Sequence, residues 1–275
     1  MDLIQSIILG ILQGLTEFLP ISSSGHILIV PALLGWEDPG AAFTAVIQLG
    51  TEAAVLIYFR KDLWDIAKTW LASLHRPELR GELNARMGWY LIVATIPIGL
   101  LGFAFQDQIE NAARNLWLVG TTLIVFGLIL GYADRTGTRE REVGDLSFRD
   151  GVLIGLAQSL ALIPGVSRSG ATISAGLFLG LNRKAAARFA FLLAIPAVVV
   201  SGFYELYKLL SGKEHFDEPM INIAVATAVS FVVGYAVIAW LLRYLTTHSM
   251  AVFVWYRVIL GAGVLTLTAA GLISV

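Results

Sequence analysis

The sequence predicts an all-α polytopic membrane protein, an inverted-topology repeat with six spanning helices and two re-entrant helical hairpins. Three observations lead to this prediction. Of the 275 residues, 57% are hydrophobic and 14% are charged, whereas an ordinary soluble domain has about a quarter charged residues. Several segments without charge approach the roughly 20 residues that cross a hydrocarbon core. Two further apolar segments are each interrupted near the centre, and they resemble each other.

Six segments are predicted to span the membrane: 41–59, 87–106, 115–133, 189–204, 219–242 and 251–275. Each is almost free of charge, except that the first contains the acid Glu52 and the last contains the base Arg257. The N-terminal apolar stretch has no basic residues before it and no small-residue cleavage site, so it is not expected to be a removable signal peptide.

Residues 3–35 and 151–182 are apolar but contain proline, serine and glycine at their centres. When the first segment is shifted by 145 positions, identical residues coincide, among them Gln13 with Gln158, Ser22 with Ser167, Ser24 with Ser169, and Gly25 with Gly170. Broken segments at corresponding places in two halves indicate a site at the repeat interface. We therefore expect one membrane domain, 1–275, with repeats at 1–133 and 150–275.

Positive charge in the loops predicts the orientation of the two repeats. The loops 60–86 and 135–149 contain six and four Lys or Arg residues, whereas two other connections contain only Arg114 and Lys213. The richer loops should be cytoplasmic. This placement requires each broken segment to enter and leave on one side, which inverts the repeats and puts both termini outside. A straight ten-helix arrangement is the alternative.

The interruptions predict an anion site. Broken backbone at membrane depth is tolerated only where protein or a water-filled cavity satisfies its polar groups. Serine and glycine at both breaks suit helix N-caps, and two helix N-termini brought together would attract an anion. Arg168 adds a guanidinium that matches phosphate oxygens. Since an unpaired charge at the bilayer centre costs about 2.5 to 3.5 kcal/mol, Arg168 and Glu17 should face each other, a cavity or a ligand.

The candidate catalytic residues are Glu17, Ser23, His26 and Arg168. A carboxylate beside an anion site would repel the anion unless it holds a divalent cation, orients an imidazole or acts as a base. A serine hydroxyl, an imidazole, a carboxylate and an arginine form a plausible phosphoryl-transfer set. The candidate phosphate-binding residues are Gln13, Ser22, Ser24, Gly25, Ser167, Ser169, Gly170 and Thr172.

Structural roles compete with these assignments. The serines could serve only as caps, and Arg168 could be only the counter-ion of Glu17. Glu52 and Gln48, one turn apart, could form interhelical hydrogen bonds or line the cavity. The formal net charge of −1 argues against a nucleic-acid partner. The absence of cysteine excludes disulfides, thiolate catalysis and cysteine-bound zinc.

The stretches from Gln13 to His26 and from Pro164 to Thr172 resemble the two signature motifs of bacterial undecaprenyl-pyrophosphate phosphatases, the bacitracin-resistance family. The resemblance covers the whole chain. It implies a multi-pass enzyme of the bacterial inner membrane that converts undecaprenyl pyrophosphate to undecaprenyl phosphate, the lipid carrier of cell-wall precursors. It also implies a divalent cation, Mg²⁺ or Ca²⁺, a site that opens toward the periplasm, and an inverted-repeat fold.

Position by position, the resemblance makes Glu17, His26 and Arg168 essential residues and Ser23 the proposed nucleophile. Glu17 is also the candidate ligand of the cation. Gln13 stands at the first place of the family's Glu/Gln-x-x-x-Glu motif, which weakens a mechanism that needs two carboxylates there. Direct attack by water remains an alternative to attack by Ser23. Metal identity, prenyl chain length and oligomeric state, including a homo-oligomer, stay open.

Two other function classes were weighed. Broken helices in inverted repeats are also typical of secondary transporters, so a lipid-carrier flippase or anion transporter is the main alternative. A type 2 phosphatidic-acid phosphatase would need a histidine six residues after Arg168 and an aspartate four residues beyond it. Those positions hold Ser174 and Phe178, and this class is therefore rejected.

Overall fold

In a computed structural model, which describes residues 1–112, 115–210 and 218–274, the chain folds into α-helices joined by short turns. The helices are α1 (Leu3–Phe18), α2 (Ser23–Leu34), α3 (Gly40–Tyr58), α4 (Arg60–His75), α5 (Leu83–Ala104), α6 (Gln106–Ala112), α7 (Leu116–Thr136), α8 (Phe148–Ser159), α9 (Arg168–Phe178), α10 (Arg183–Leu210), α11 (Met220–Tyr244) and α12 (Ala251–Ala269). Arg114, Lys213 and Val275, which entered the sequence predictions, lie outside the described residues.

The prediction of an all-α polytopic membrane protein is confirmed. Helices α5, α7, α11 and α12 are long and apolar enough to cross a membrane, and α3 together with α4 forms a fifth candidate that bends by 69°. The predicted span 189–204 falls inside α10. Helices α4 and α6 occupy stretches that the sequence predicts to be loops. Helix α4 begins directly after α3 and carries charged residues along much of its length, which hid it from a search for apolar spans.

Helix packing follows the same pattern in the two halves of the chain. Helix α1 packs against α11, and α8, its counterpart in the second half, packs against α5. Helix α3 contacts α11, while α10 contacts α5; the pairs α7 with α12 and α3 with α10 complete the pattern. Two repeats related by a two-fold axis would exchange partners in this way. The boundaries of the repeats and their inverted orientation remain predictions.

Two glycines allow the equivalent helix crossings. A Cβ atom on Gly10 would lie 2.5 Å from the carbonyl oxygen of Ala226 in α11. A Cβ atom on Gly155 would lie 2.5 Å from the carbonyl oxygen of Ala94 in α5. These glycines are 145 positions apart, the spacing that relates the two broken segments. Small residues at such crossings let membrane helices approach closely, so α1 packs tightly on α11 and α8 packs tightly on α5.

The breaks within the two segments end in the same unusual backbone conformation. Ser22, directly before α2, has φ 76° and ψ 99°, and Ser167, directly before α9, has φ 74° and ψ 117°. A non-glycine residue at positive φ in such a region costs on the order of 1 to 3 kcal/mol and persists only where surrounding structure enforces it. The strain therefore marks both breaks as places where packing overrides local preference.

Candidate active site

The first turns of α2 and α9 are capped in the same way. The Ser22 hydroxyl accepts a hydrogen bond from the Gly25 N–H at 3.4 Å, and the Ser167 hydroxyl accepts one from the Gly170 N–H at 3.1 Å. Both serines are buried. Each therefore acts as an N-cap, the structural role that the sequence analysis had weighed. The caps fix where each helix begins and hence where its positive dipole end points.

Arg257 of α12 connects the two breaks. Its side chain is fully buried, with 0% exposure, and among the described residues its guanidinium donates to five backbone carbonyl oxygens. Within the first break Nη1 reaches the Pro20 carbonyl at 3.0 Å, and within the second Nη2 reaches the carbonyls of Gly165 and Val166 at 3.0 and 2.9 Å. Two more bonds run to the Leu123 and Thr122 carbonyls of α7. One cation thus binds both chain breaks to α7 and α12.

Glu17 lies at the centre of a polar cluster between the breaks, which it forms with Gln13, Ser23 and Arg168. Its Oε1 accepts a hydrogen bond from Arg168 Nη2 at 2.5 Å, so the first half of the chain meets the second here. Its Oε2 accepts from the Ser23 hydroxyl at 2.6 Å and from Gln13 Nε2 at 3.0 Å. The prediction that Glu17 and Arg168 face each other is confirmed. The carboxylate is positioned to receive the hydroxyl proton of Ser23.

Both ring nitrogens of His26 have hydrogen-bond partners. Its Nδ1 lies 2.7 Å from the Ser22 carbonyl oxygen, and its Nε2 lies 2.7 Å from the Tyr256 hydroxyl. The side chain is buried, with 3% exposure. The contacts of Glu17 described above do not include His26, so the hypothesis that Glu17 orients this imidazole is not supported. Ser22 and Tyr256 orient it instead.

The remaining predicted site residues divide into buried and accessible groups. The Ser169 hydroxyl donates to the Leu19 carbonyl at 3.0 Å, and the Thr172 hydroxyl donates to the Arg168 carbonyl at 2.8 Å. Both side chains are buried. The Ser169 bond joins the second break to the first, whereas the Thr172 bond lies within α9. Ser24, in contrast, is exposed beside the N-terminus of α2.

The surroundings of Gly25 and Gly170 leave little room for a side chain at either position. A Cβ atom on Gly170 would lie 2.8 Å from Arg257 Nη1, and one on Gly25 would lie 3.2 Å from Val119 Cγ1. Both glycines therefore let the first turn of their helix pack closely on α7 and α12. Their backbone N–H groups bond to the caps.

Glu52 and Gln48 of α3 form a second glutamine–glutamate pair. Gln48 Nε2 donates to Glu52 Oε1 at 3.3 Å, which repeats the spacing of Gln13 and Glu17. This bond lies within one helix, so it is not the interhelical bond considered from the sequence. Glu52 is 8% exposed, and the charges of Arg168 and Glu17 act on it. Its carboxyl group therefore shares the electrostatic environment of Glu17 and Arg168.

Tyr256 and Arg257 are functional candidates that emerge from the structure. The sequence contains a signal for Arg257, because a basic residue within an otherwise uncharged membrane span indicates a functional role by default. Tyr256 carried no comparable signal, since tyrosines are common in membrane helices and its partner is 230 residues away.

The acidic residues near the breaks suit a cation that binds together with a phosphate-containing substrate. Among the described residues, no group of three or more His, Cys, Asp or Glu side chains could hold a metal. Magnesium, however, is often bound by one or two carboxylates together with substrate phosphates. Glu17 offers a carboxylate beside hydroxyl oxygens, and a diphosphate would add further oxygens. The donor chemistry therefore fits a hard divalent cation that binds together with its substrate.

The chain is similar to known proteins over nearly its whole length. Residues 6–263 match the family model described as bacitracin resistance protein BacA. A relative from a Nocardioides species named undecaprenyl-diphosphatase is 61% identical over 99% of each chain. Relatives with the same name from Thermobifida fusca and Mycolicibacterium smegmatis are 55% and 54% identical. They cover all of this chain and 93% and 99% of their own.

Replacing Arg257 with lysine tests its role. A single ammonium with three donors cannot replace a guanidinium fork that reaches carbonyls on both breaks. A buried acceptor left unpaired costs about 1 to 3 kcal/mol, so Arg257→Lys should lower the free energy of unfolding by several kcal/mol. Thermal unfolding in detergent measures this. Arg243→Lys, at the exposed end of α11, is the control. Equal melting temperatures for the two variants would contradict the assignment.

Proposed function

The chain belongs to the bacitracin resistance protein family, and from this premise we propose that it is an integral membrane phosphatase. It hydrolyses undecaprenyl pyrophosphate to undecaprenyl phosphate and inorganic phosphate, which returns the lipid carrier to cell-wall synthesis. The observation that carries the proposal is the meeting of Ser23, Glu17 and Arg168 at two capped helix N-termini. A nucleophile, a proton acceptor and an anion-binding cation lie within hydrogen-bond distance of one carboxylate.

The first half-reaction starts at Ser23. Its oxygen attacks the terminal phosphorus, its proton passes to Glu17 Oε2, and the bond from that phosphorus to the bridging oxygen breaks. Undecaprenyl phosphate leaves with the bridging oxygen, and the terminal phosphate stays on Ser23. The short 2.6 Å bond between the hydroxyl and Glu17 supports this route for the proton.

In the second half-reaction, water attacks the phosphorus of phosphoserine. The Ser23 oxygen leaves and takes up a proton from Glu17, while the proton of the attacking water passes to His26 or the released phosphate. The competing mechanism has water attack the lipid diphosphate directly, with Glu17 as base and Ser23 as a phosphate ligand. Both mechanisms release one inorganic phosphate for each lipid.

Positive groups around the cluster stabilise charge on the transferring phosphoryl group. The Arg168 side chain is part-buried and bonded to Glu17 in the resting site, so a phosphate can share this guanidinium. The first turns of α2 and α9 present backbone N–H groups that have no partner within the helix. Such preorganised donors supply much of the rate enhancement in phosphoryl transfer.

We propose Glu17 as the protein ligand of a divalent cation, Mg²⁺ or Ca²⁺. When bound, the cation would neutralise negative charge on the diphosphate oxygens. Glu17 would then bind the cation through the carboxylate that otherwise accepts from Arg168. Ser23 and Gln13 remain within hydrogen-bond distance and keep that carboxylate oriented.

The multi-pass membrane placement is established by the apolar helices and the family, and we propose the bacterial inner membrane with the site open to the periplasm. The two loops rich in Lys and Arg, 60–86 and 135–149, support this orientation. A homo-oligomer is compatible with it. A transporter or flippase remains less favoured, because the residues of the cluster suit proton transfer and attack at phosphorus.

Phosphate release by the purified protein tests the proposed function. In detergent with undecaprenyl pyrophosphate, the wild type should release phosphate, and Glu17→Ala, His26→Ala and Arg168→Ala should each lower kcat/KM. We expect about 100-fold or more for Arg168→Ala, because a preorganised charge partner is lost. Arg243→Ala is the matched control. Lipid transfer across vesicles without phosphate release would instead support a transporter.

Replacement of Ser23 separates the two mechanisms. If Ser23 is the nucleophile, Ser23→Ala should lower kcat by about a thousandfold or more, as the loss of a nucleophile does in other enzymes. Acid quenching with substrate labelled in its terminal phosphate should then yield labelled Ser23, detected by peptide mass spectrometry. Ser73→Ala, on α4 away from the site, is the control. Near-normal turnover of Ser23→Ala would establish direct attack by water.

Chelation tests the cation. Phosphate release should stop in EDTA and return when Mg²⁺ or Ca²⁺ is added in excess. Glu17→Gln should weaken Mn²⁺ binding, followed by electron paramagnetic resonance with a non-hydrolysable diphosphate lipid, by about tenfold. Glu52→Gln should weaken Mn²⁺ binding less, because Glu52 lies near the proposed cation ligand but is not itself that ligand. Full activity in EDTA would rule out the cation.

The absence of cysteine allows a direct test of orientation. Single cysteines in place of Glu37 and Glu140 would both be exposed, on opposite sides of the membrane in the proposed topology. A membrane-impermeant maleimide added to intact spheroplasts should label Glu37→Cys and leave Glu140→Cys unlabelled until the membrane is opened. The reverse labelling would place the two Lys- and Arg-rich loops outside.

A further inference from the structure

Tyr256 is the neighbour of Arg257 on α12, and its hydroxyl lies 2.7 Å from Nε2 of His26. The two rings stack with centroids 5.5 Å apart and planes within 6° of parallel. Tyr256 is 44% exposed, whereas His26 is 3% exposed. The hydroxyl therefore lies on the boundary between a buried imidazole and the outside of the helix bundle.

The hydrogen bonds of His26 determine its tautomer. The Ser22 carbonyl can only accept, so the Nδ1 atom 2.7 Å away carries the proton. In the neutral ring, Nε2 is then the acceptor, and the Tyr256 hydroxyl donates to it. If His26 gains a proton, it must gain it at Nε2, and the hydroxyl can rotate to accept from the new N–H. Tyr256 can thus pair with His26 in both protonation states.

Tyr256, rather than a neighbouring charged residue, pairs with Nε2 of His26. Arg257 acts on His26 through its charge, but its hydrogen bonds run to backbone carbonyls. The contacts of Glu17 run to Gln13, Ser23 and Arg168. Because Arg257 binds both breaks to α12, the adjacent Tyr256 is held in register with the segment that carries His26.

We propose that Tyr256 is a positioning residue for the phosphatase reaction, acting through a hydrogen bond that holds His26 as the Nδ1–H tautomer with Nε2 available for proton exchange. The inference rests on the proposed function, since it gives His26 a part in turnover. Tyr256 itself needs no contact with the diphosphate. Its hydroxyl keeps the ring of His26 in one orientation through the catalytic cycle.

Tyr256→Phe removes the hydroxyl and keeps the stacked ring. We expect kcat to fall about tenfold, a fraction of the effect of losing an acid–base group, with KM changed less than about twofold. In a His26→Gln background the same change should alter the rate by less than about twofold, because the partner is already absent. Tyr235→Phe is the control, since Tyr235 on α11 packs against Tyr58 and Phe231.

Nitrogen-15 NMR of labelled histidine gives a readout that does not depend on turnover. The His26 signal, identified by its loss in His26→Gln, should have the pattern of an Nδ1–H tautomer. It should shift in Tyr256→Phe and stay unchanged in Tyr235→Phe. An unchanged His26 signal, or equal rate losses with and without His26, would overturn the inference. If the wild type releases no phosphate while the NMR shift occurs, the proposed function fails and the hydrogen bond stands.

Discussion

Two interruptions in apolar helices leave backbone carbonyls without helical partners inside the bundle, and the guanidinium of Arg257 pairs several of them. Unsatisfied polar backbone costs several kcal/mol for each group in a hydrocarbon environment, so chain breaks persist only where protein groups replace the missing bonds. A guanidinium is suited to this because its five N–H donors point in fixed directions. Its bonds to Pro20, Gly165 and Val166 set the distance between the two segments. The relative placement of α2, α9 and all their side chains depends on that distance.

The two breaks have similar backbone conformations but different reactive side chains. Both have a strained serine cap, yet the second half has Leu162 and Ala171 where the first has Glu17 and His26. Arg168 occupies the position equivalent to Ser23. A strict duplicate would place two carboxylates or two guanidinium groups together, and like charges repel in a poorly solvated site. The divergence instead joins one carboxylate to one guanidinium, and the pair can be buried with its hydrogen bonds made.

Gln158 illustrates the same divergence. It is the counterpart of Gln13, but among the described residues its amide nitrogen and oxygen are buried without a hydrogen-bond partner. Gln13 has Glu17 one turn later, and Leu162 stands at the matching place after Gln158. The first repeat therefore has a polar pair where the second has a single polar residue. An amide of this kind is costly in an apolar interior, which is consistent with a second half that keeps the shape of the first more closely than its chemistry.

The sequence by itself determined the apolar spans, the two interruptions and the candidate catalytic residues. These follow from local composition and from spacing along one helix. Gln13 and Glu17 are one turn apart, and their hydrogen bond could be expected from that spacing alone. The tertiary structure decided which group each side chain meets. That Arg168 bonds to Glu17, that His26 bonds to Tyr256 and that Arg257 reaches both breaks depends on how α9 and α12 pack. No periodicity within a segment encodes contacts between residues more than a hundred positions apart.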